Sequence, residues 1–364
     1  MKLKEITNYL EEYAPLAYQE SYDNAGLITG DYDMSISGVL ICLDTTEEVL
    51  EEAIKSKCNL IVAHHPIIFS GLKKIIGRTH VERVIIKAIK NNIAIYAAHT
   101  NLDNINKGVN SKIGERLGLK NCKILSPKNG ILRKLLTFCP VDNAAEVRQS
   151  LFSAGAGKIG NYDECSFNVE GTGTFRGSEQ ANPYVGEKGV QHQEKEIKIE
   201  VIYPANIENN LIKALKAAHP YEEVAYDIIP LENKFNDVGS GMIGELEKEE
   251  DELPFLQKLK LQMNTNSIRY TNLLGKKVKK IAVCGGSGSF LIGEAIAAGA
   301  DVFITGDMKY HQFFDAENKL LIADIGHHES EQFTKELFYD ILSKKFPTFA
   351  LHLSKINTNP INYL

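Results

Sequence analysis

Over residues 1–126, short and wholly apolar runs alternate with stretches whose apolar positions recur every three or four residues. Ile6 to Tyr13 has the amphipathic period of a helix, and Gly38 to Leu43 (GVLICL) has strand length. Glu47 to Lys57 reads as a helix with Thr45 or Thr46 as its N-cap, Asn59 to Ala63 as a strand, Val81 to Asn91 as a helix and Ile93 to Ala98 as a strand. Apolar strands joined by helices predict a parallel sheet covered on both faces. The same alternation returns near the end. Strands are predicted at 280–284, 301–305 and 320–324, and helices at 289–298 and 331–344. The two end segments, 1–126 and 233–364, are therefore expected to pack as one bilobed α/β unit.

The middle follows a different pattern. Strand signals at 135–139, 164–175, 196–203 and 223–229 enclose helices at 143–154 and 206–218. That order is the split β-α-β of ferredoxin-like domains, here inserted over residues 127–232. The polar, Gly-rich stretch 177–193 reads as a loop, and the acidic run 245–252 as a solvated linker.

Composition narrows the function classes. The 364 residues carry 41 Lys and Arg against 47 Asp and Glu, a net charge of −6, which argues against general nucleic-acid binding. No long uncharged apolar run suggests a membrane span, and Met1 leads directly into Lys2, Lys4 and Glu5 rather than a secretory leader. Six scattered cysteines without a C-x-x-C pair read as reduced core thiols, so a cytoplasmic location is expected.

Three stretches gather histidine and carboxylate at predicted strand exits: Ala63-His64-His65-Pro66, His99-Thr100-Asn101-Leu102-Asp103, and Asp324-Ile325-Gly326-His327-His328-Glu329-Ser330-Glu331. Ligands of open α/β sheets collect outside the carboxyl ends of strands, so all three can meet in one crevice. Imidazole with carboxylate and no thiolate suits a divalent transition metal. Neighbouring residues of a strand point apart, so His64 and His65 fit one ion each better than one ion together. Two ions sharing a carboxylate would account for the number of ligands. Glu331 lies four residues beyond His327, on one face if a helix begins there. His80, His192, His219 and His352 lack such company and read as ordinary polar or core histidines. The loop Gly285-Gly286-Ser287-Gly288-Ser289 follows a strand; it suits either an anion or a tight turn. Asp307 and His311, taken alone, are a helix-start carboxylate and a surface histidine. Asp44, at the exit of the first apolar strand, can fix a ligand imidazole's tautomer.

In combination, H-H-P-I-I-F at 64–69, H-T-N-L-D at 99–103 and G-H-H-E-S-E at 326–331 resemble the NIF-three-like dinuclear-metal family, described as GTP cyclohydrolase I type-two homologues. Asp23-Asn24-Ala25-Gly26-Leu27, Leu43-Asp44-Thr45-Thr46 and Thr305-Gly306-Asp307 with His311 also fit. Tyr22 departs from the family's usual Trp, at a position read as packing. The middle segment, with Ala218-His219-Pro220-Tyr221-Glu222-Glu223, resembles the PII- or CutA-like insert of longer members. The resemblance implies metal ligands at His64, His65, Asp103, His327 and Glu331, with Glu331 bridging two ions (zinc, iron or manganese). It places His99 and His328 around them, makes His311 and His328 candidates for proton transfer, and implies a toroidal homo-hexamer.

Two functions are open on this reading. One is a metal-dependent hydrolase acting on a nucleotide, by the family name GTP, opened at C8 with release of formate. The other is a non-catalytic metal-binding assembly, a regulator or adaptor whose insert senses an effector.

Overall fold

Helix α1 (Leu3–Tyr13) buries Leu3, Ile6, Thr7 and Leu10, the 3.6-residue stripe its sequence carries. Strands β1 (Gly26–Thr29), β2 (Val39–Cys42), β3 (Leu60–Ala63) and β4 (Ala94–Ala97) follow, and β2, β3 and β4 are buried at every position. Between them, α2 (Glu47–Lys55) is capped by Thr46, whose hydroxyl accepts from the Val49 amide, and α3 (His80–Lys90) is capped in the same way by Thr79. β2, β3 and β4 pair in parallel; β1 joins β4 antiparallel. Two short helices, α4 (Thr100–Asp103) and α5 (Val109–Leu117), lead to β5 (Lys120–Lys128).

The next segment forms its own sheet. Strands β6 (Leu132–Pro140), β7 (Phe167–Arg176), β8 (Gln191–Pro204) and β9 (Tyr226–Pro230) stand in the order β7-β8-β6-β9, all antiparallel. Helices α6 (Ala144–Ser153) and α7 (Glu208–Ala218) follow β6 and β8. Leu135, Val147, Leu151, Ile199, Val201, Leu211 and Leu215 close a core between helices and sheet. That connectivity and strand order are the ferredoxin-like arrangement. His219 is a satisfied core histidine: its Nε2 meets the Phe138 carbonyl at 2.9 Å and its Nδ1 accepts from the Tyr221 amide.

The chain then returns through β10 (Phe235–Asp251), α8 (Glu252–Gln262), β11 (Arg269–Tyr270), β12 (Lys277–Ser287), α9 (Ile292–Ala297), β13 (Val302–Gly306) and β14 (Leu321–Asp324). Helices α10 (His327–Glu331) and α11 (Thr334–Lys345) precede the last strand, β15 (Leu351–Leu353). β12, β13 and β14 are parallel, flanked by antiparallel β10 and β11. The acidic run expected as a linker is the second half of β10. Asp251 pairs with Lys277 of β12 at 2.7 Å, and Glu250 with Lys258 at 2.6 Å. Lys277 on the paired strand and Lys258 on α8 offset the repulsion along the run.

The computed structural model describes residues 1–364 and divides them into two units, Met1–Pro127 with Asp237–Leu364, and Lys128–Asn236. Inside the first unit the two lobes exchange edge strands. β5, from the first sequence segment, belongs to the sheet β11-β14-β13-β12-β10-β5. β15, from the last segment, pairs in parallel with β2 at the edge of β1-β4-β3-β2-β15. Residues 233–364 are therefore not one lobe, because their end completes the other sheet. All six cysteines are free thiols, and no helix is long and apolar enough to cross a membrane.

Candidate metal centre

The parallel strands of both sheets deliver their carboxyl ends to one place. After β3, the amides of His64 and His65 both donate to the Leu43 carbonyl, at 3.1 and 3.0 Å, which breaks the strand's alternation. Their rings consequently lie on one side, with centroids 4.9 Å apart. From the opposing sheet, Gly326 (φ +95°) turns the chain out of β14 into α10, where His327 and Glu331 share a face and His327 Nε2 lies 3.1 Å from Glu331 Oε2.

Two triads result, and both contain Glu331. His65, His327 and Glu331 form one; His64, Asp103 and Glu331 form the other. The five residues expected as ligands are thus brought together. His99 comes within the same reach of His64 and His65.

Each imidazole is held from behind by its Nδ1. His65 meets Asp44 at 2.7 Å, His99 meets Asp23 at 2.8 Å, His327 meets Asp307 at 2.7 Å, and His64 meets the Ala98 carbonyl at 2.9 Å. Fixing Nδ1 aims Nε2 inward, as metal-ligating histidines require. Asp44 is in turn held by the Thr358 hydroxyl at 2.6 Å, from the tail beyond β15.

Burial and mutual contact shift the titrating groups of the cluster in opposite directions. Burial alone would lower the His65 imidazolium, but the hydrogen bonds to Asp44 and Glu331 overcome it and push the group up to about 10. Burial works against His327 likewise, yet Glu331 and Asp307 raise it to about 9. His64 goes the other way, lowered by burial. Burial and then the neighbouring Glu331 charge raise the Asp103 carboxyl well above its ordinary value, whereas histidine hydrogen bonds hold Glu331 well below its own against burial. His64 Nε2 lies 3.6 Å from Asp103 Oδ1 and 3.7 Å from Glu331 Oε1, beyond hydrogen-bond distance. Both His64 Nε2 and Asp103 Oδ1 are buried without a partner, a cost of about 1–3 kcal/mol per group that a bound cation removes. The residues present therefore suit divalent metal, through nitrogen and oxygen donors. Cys284 is buried nearby, and burial followed by the charges of Asp103 and Glu331 raises its thiol, which keeps thiolate out of the donor set.

The remaining expectations fare differently. Asp44 does hold the imidazole of His65 through Nδ1. Asp307, with a left-handed backbone (φ +55°), pairs with His327 at 2.7 Å rather than with His311. The Met308 amide donates to Asp324 at 2.9 Å, Arg269 donates to the Met308 carbonyl at 2.9 Å, and Arg269 also pairs with Asp324. Asp324 further accepts from the Gly326 amide at 3.0 Å, so one carboxylate ties down both turns that carry Asp307 and His327. His311 lies on the turn after β13, stacked on Phe314 and edge-on to Tyr310, outside both triads. His328 follows His327 round the first turn of α10 and lines a separate polar cavity of about 400 Å³ with Asn264, Asn266 and Asn359. The loop 285–289 is not an anion cradle. Its amides at 285, 286 and 288 already donate to Asn110, Ser330 and Thr305. A Cβ on Gly286 would stand 2.5 Å from Glu331 Oε1, so this turn seats the shared carboxylate. Asp23 was legible only as part of a motif, and nothing in its local sequence pointed to His99.

Fold and site together define a mixed α/β protein with a histidine–carboxylate cluster suited to divalent metal at the facing strand ends of two sheets. Residues 1–360 match the sequence profile of Duf34/NIF3 (NGG1p interacting factor 3), and the chain belongs to that family. It is 38% identical to a GTP cyclohydrolase 1 type 2 homolog of Bacillus subtilis, over 99% of this chain and 98% of that one. A homologue of the same description from Halalkalibacterium halodurans is also 38% identical, with the same shares covered. A crystal structure of a Bacillus cereus protein related to NIF3 superposes with a TM-score of 0.86 at 40% identity, covering 100% of this chain and 99% of that chain.

Proposed function

We propose that the chain binds two divalent ions, zinc, iron or manganese, and hydrolyses a nucleotide, with opening of GTP at C8 and release of formate as the expected reaction. His64, Asp103 and Glu331 would hold one ion and His65, His327 and Glu331 the other. The observation that carries this reading is the pair of buried, partnerless ligand atoms, His64 Nε2 and Asp103 Oδ1, beside a carboxylate common to both triads. The names borne by the relatives support the choice of GTP. A bound ion pair supplies Lewis acidity and makes water a usable nucleophile near neutral pH. The protein's own part is orientation. Asp44, Asp23 and Asp307 fix three imidazoles, and Gly286 leaves room for Glu331. In this reading His311 and His328 carry protons only by way of bound substrate or water, since neither ring joins the cluster. Assembly as a homo-hexameric toroid belongs to the same proposal and is measured by light scattering.

The test is formate release from GTP by protein loaded anaerobically with each metal in turn, beside Glu331→Gln. Turnover that needs metal and is lost in the variant is expected. Full metal loading without turnover of GTP or other nucleotides would overturn the hydrolase and leave a metal-binding assembly.

A further inference from the structure

We infer that a second small-molecule site lies in the β11–β14 sheet's lobe, and that its ligand is a planar nitrogen heterocycle of purine size. The site is a cavity of about 470 Å³, within the range of small-ligand pockets. Tyr270, Tyr310, Phe313 and Phe314 stand in its wall. Tyr310 is 72% exposed and Phe314 65%, an unusual exposure for rings gathered in one concavity. Tyr310 stands edge-on to Phe314 at 5.6 Å, and the Arg269 guanidinium covers Phe313 at 5.5 Å. The cavity wall therefore carries aromatic surface on which a base-like ring stacks.

Polar groups in the wall select within that class. Asn272 and Asn318 are exposed residues of the cavity wall whose side chains make no hydrogen bond to the protein. An amide sets a donor beside an acceptor, the complement of the hydrogen-bonding edge of a purine. Arg269 also joins the cavity to the metal centre, through Asp324 and the Met308 amide next to Asp307. The inference does not rest on the hydrolase reading, because metal-free protein keeps every one of these groups.

Titration calorimetry of the full chain, metal-free and metal-loaded, with adenosine and with guanosine tests it. At least one nucleoside is expected to bind to the metal-free protein with a Kd below about 1 mM. Tyr310→Ala combined with Phe314→Ala should weaken it about tenfold or more. Asn318→Ala should change the ratio of the two affinities, while metal content stays that of the parent. No binding of either nucleoside, or equal binding by the double variant, overturns the proposal. Binding that survives the double variant and disappears in Glu331→Gln puts the ring at the metal centre and overturns it too. A change in oligomeric state with unchanged nucleoside affinity assigns the rings to contact with another copy of the chain, and the proposal fails in that case as well.

Discussion

His65 and His327 come from opposing sheets and place their Nε2 atoms 3.3 Å apart, both within 3.1 Å of Glu331 Oε2. Two imidazoles share one carboxylate oxygen this closely most favourably when positive charge lies between them. Protons supply that charge at high cost, with like charges in contact; a divalent ion supplies it with both nitrogens as ligands. Glu331→Gln should therefore remove more metal than any other single change. The expected metal content, measured by inductively coupled plasma mass spectrometry, falls below one ion per chain. If the proposed pair of ions is bound, Asp103→Asn and His327→Ala should each lose about one, because each touches one triad.

The carboxylates behind the imidazoles make a separate prediction. Asp307→Asn and Asp44→Asn leave every ligand in place but free a ring to rotate and change tautomer. Each should weaken metal binding about 10–100-fold, as loss of such partners commonly does. A chelator-competition titration measures this. Unchanged affinity in both variants would mean the rings are fixed by packing alone.

Asp324→Asn acts one contact further out. Asp324 is buried at 3% exposure and accepts from Arg269, Met308 and Gly326, so the change weakens several bonds at once. A cost of about 1–3 kcal/mol is expected, read as a lower Tm, together with weaker metal binding at the His327 triad. Retained metal affinity at a lowered Tm would confine Asp324 to stability.

Gly286→Ala tests the seat of Glu331. The residue has φ +63°, where a side chain costs roughly 1–2 kcal/mol, and the new Cβ would meet Glu331 Oε1 at 2.5 Å. Glu331 must move, so metal content should drop with the fold kept, as followed by circular dichroism. Gly118→Ala is a control: it shares the left-handed backbone but has no neighbour within 4 Å, and it should keep its metal.

Acid dependence follows from Asp23. Burial would raise its carboxyl, but hydrogen bonds from His99 and Thr100 hold it at about 2, below its ordinary 3.8. A depressed carboxyl stabilises the fold fully above 3.8, and the contribution is lost as pH falls through about 2. At roughly 1.4 kcal/mol per pKa unit, on the order of 2 kcal/mol is at stake. The Tm difference between the parent and Asp23→Asn, both metal-free, should be large at pH 7 and shrink between pH 4 and 2. A difference that does not vary with pH would show that Asp23 acts without its charge.

Much of this was legible in local sequence. The apolar runs of β2, β3 and β4 fixed their own burial, and Thr46 and Thr79 announced two helix starts, since caps and periodicity involve neighbours in the chain. The three stretches at 63–66, 99–103 and 324–331 could be singled out because they fall where buried strands stop, and the resemblance to the NIF-three-like family narrowed them to His64, His65, Asp103, His327 and Glu331. Asp23 and Asp307 stood out only as parts of motifs and their role did not, because each works on a histidine 76 or 20 residues away and its own surroundings carry no sign of that partner. The acidic half of β10 misled, as its compensating lysines lie on other elements.

The amino-acid order alone determined the elements, the inserted ferredoxin-like segment and the donor chemistry of the site, all set by short-range pattern and residue type. Tertiary structure decided which donors stand together, for His65 and Glu331 are 266 positions apart and meet only when two sheets face each other. It also decided that the Gly-rich turn at 285–289 seats a carboxylate instead of an anion, because its amides were taken by Asn110, Ser330 and Thr305. The exchange of β5 and β15 between lobes was likewise settled there. An edge strand's partner is chosen by the open hydrogen bonds of a neighbouring sheet, and no feature of its own sequence names that neighbour.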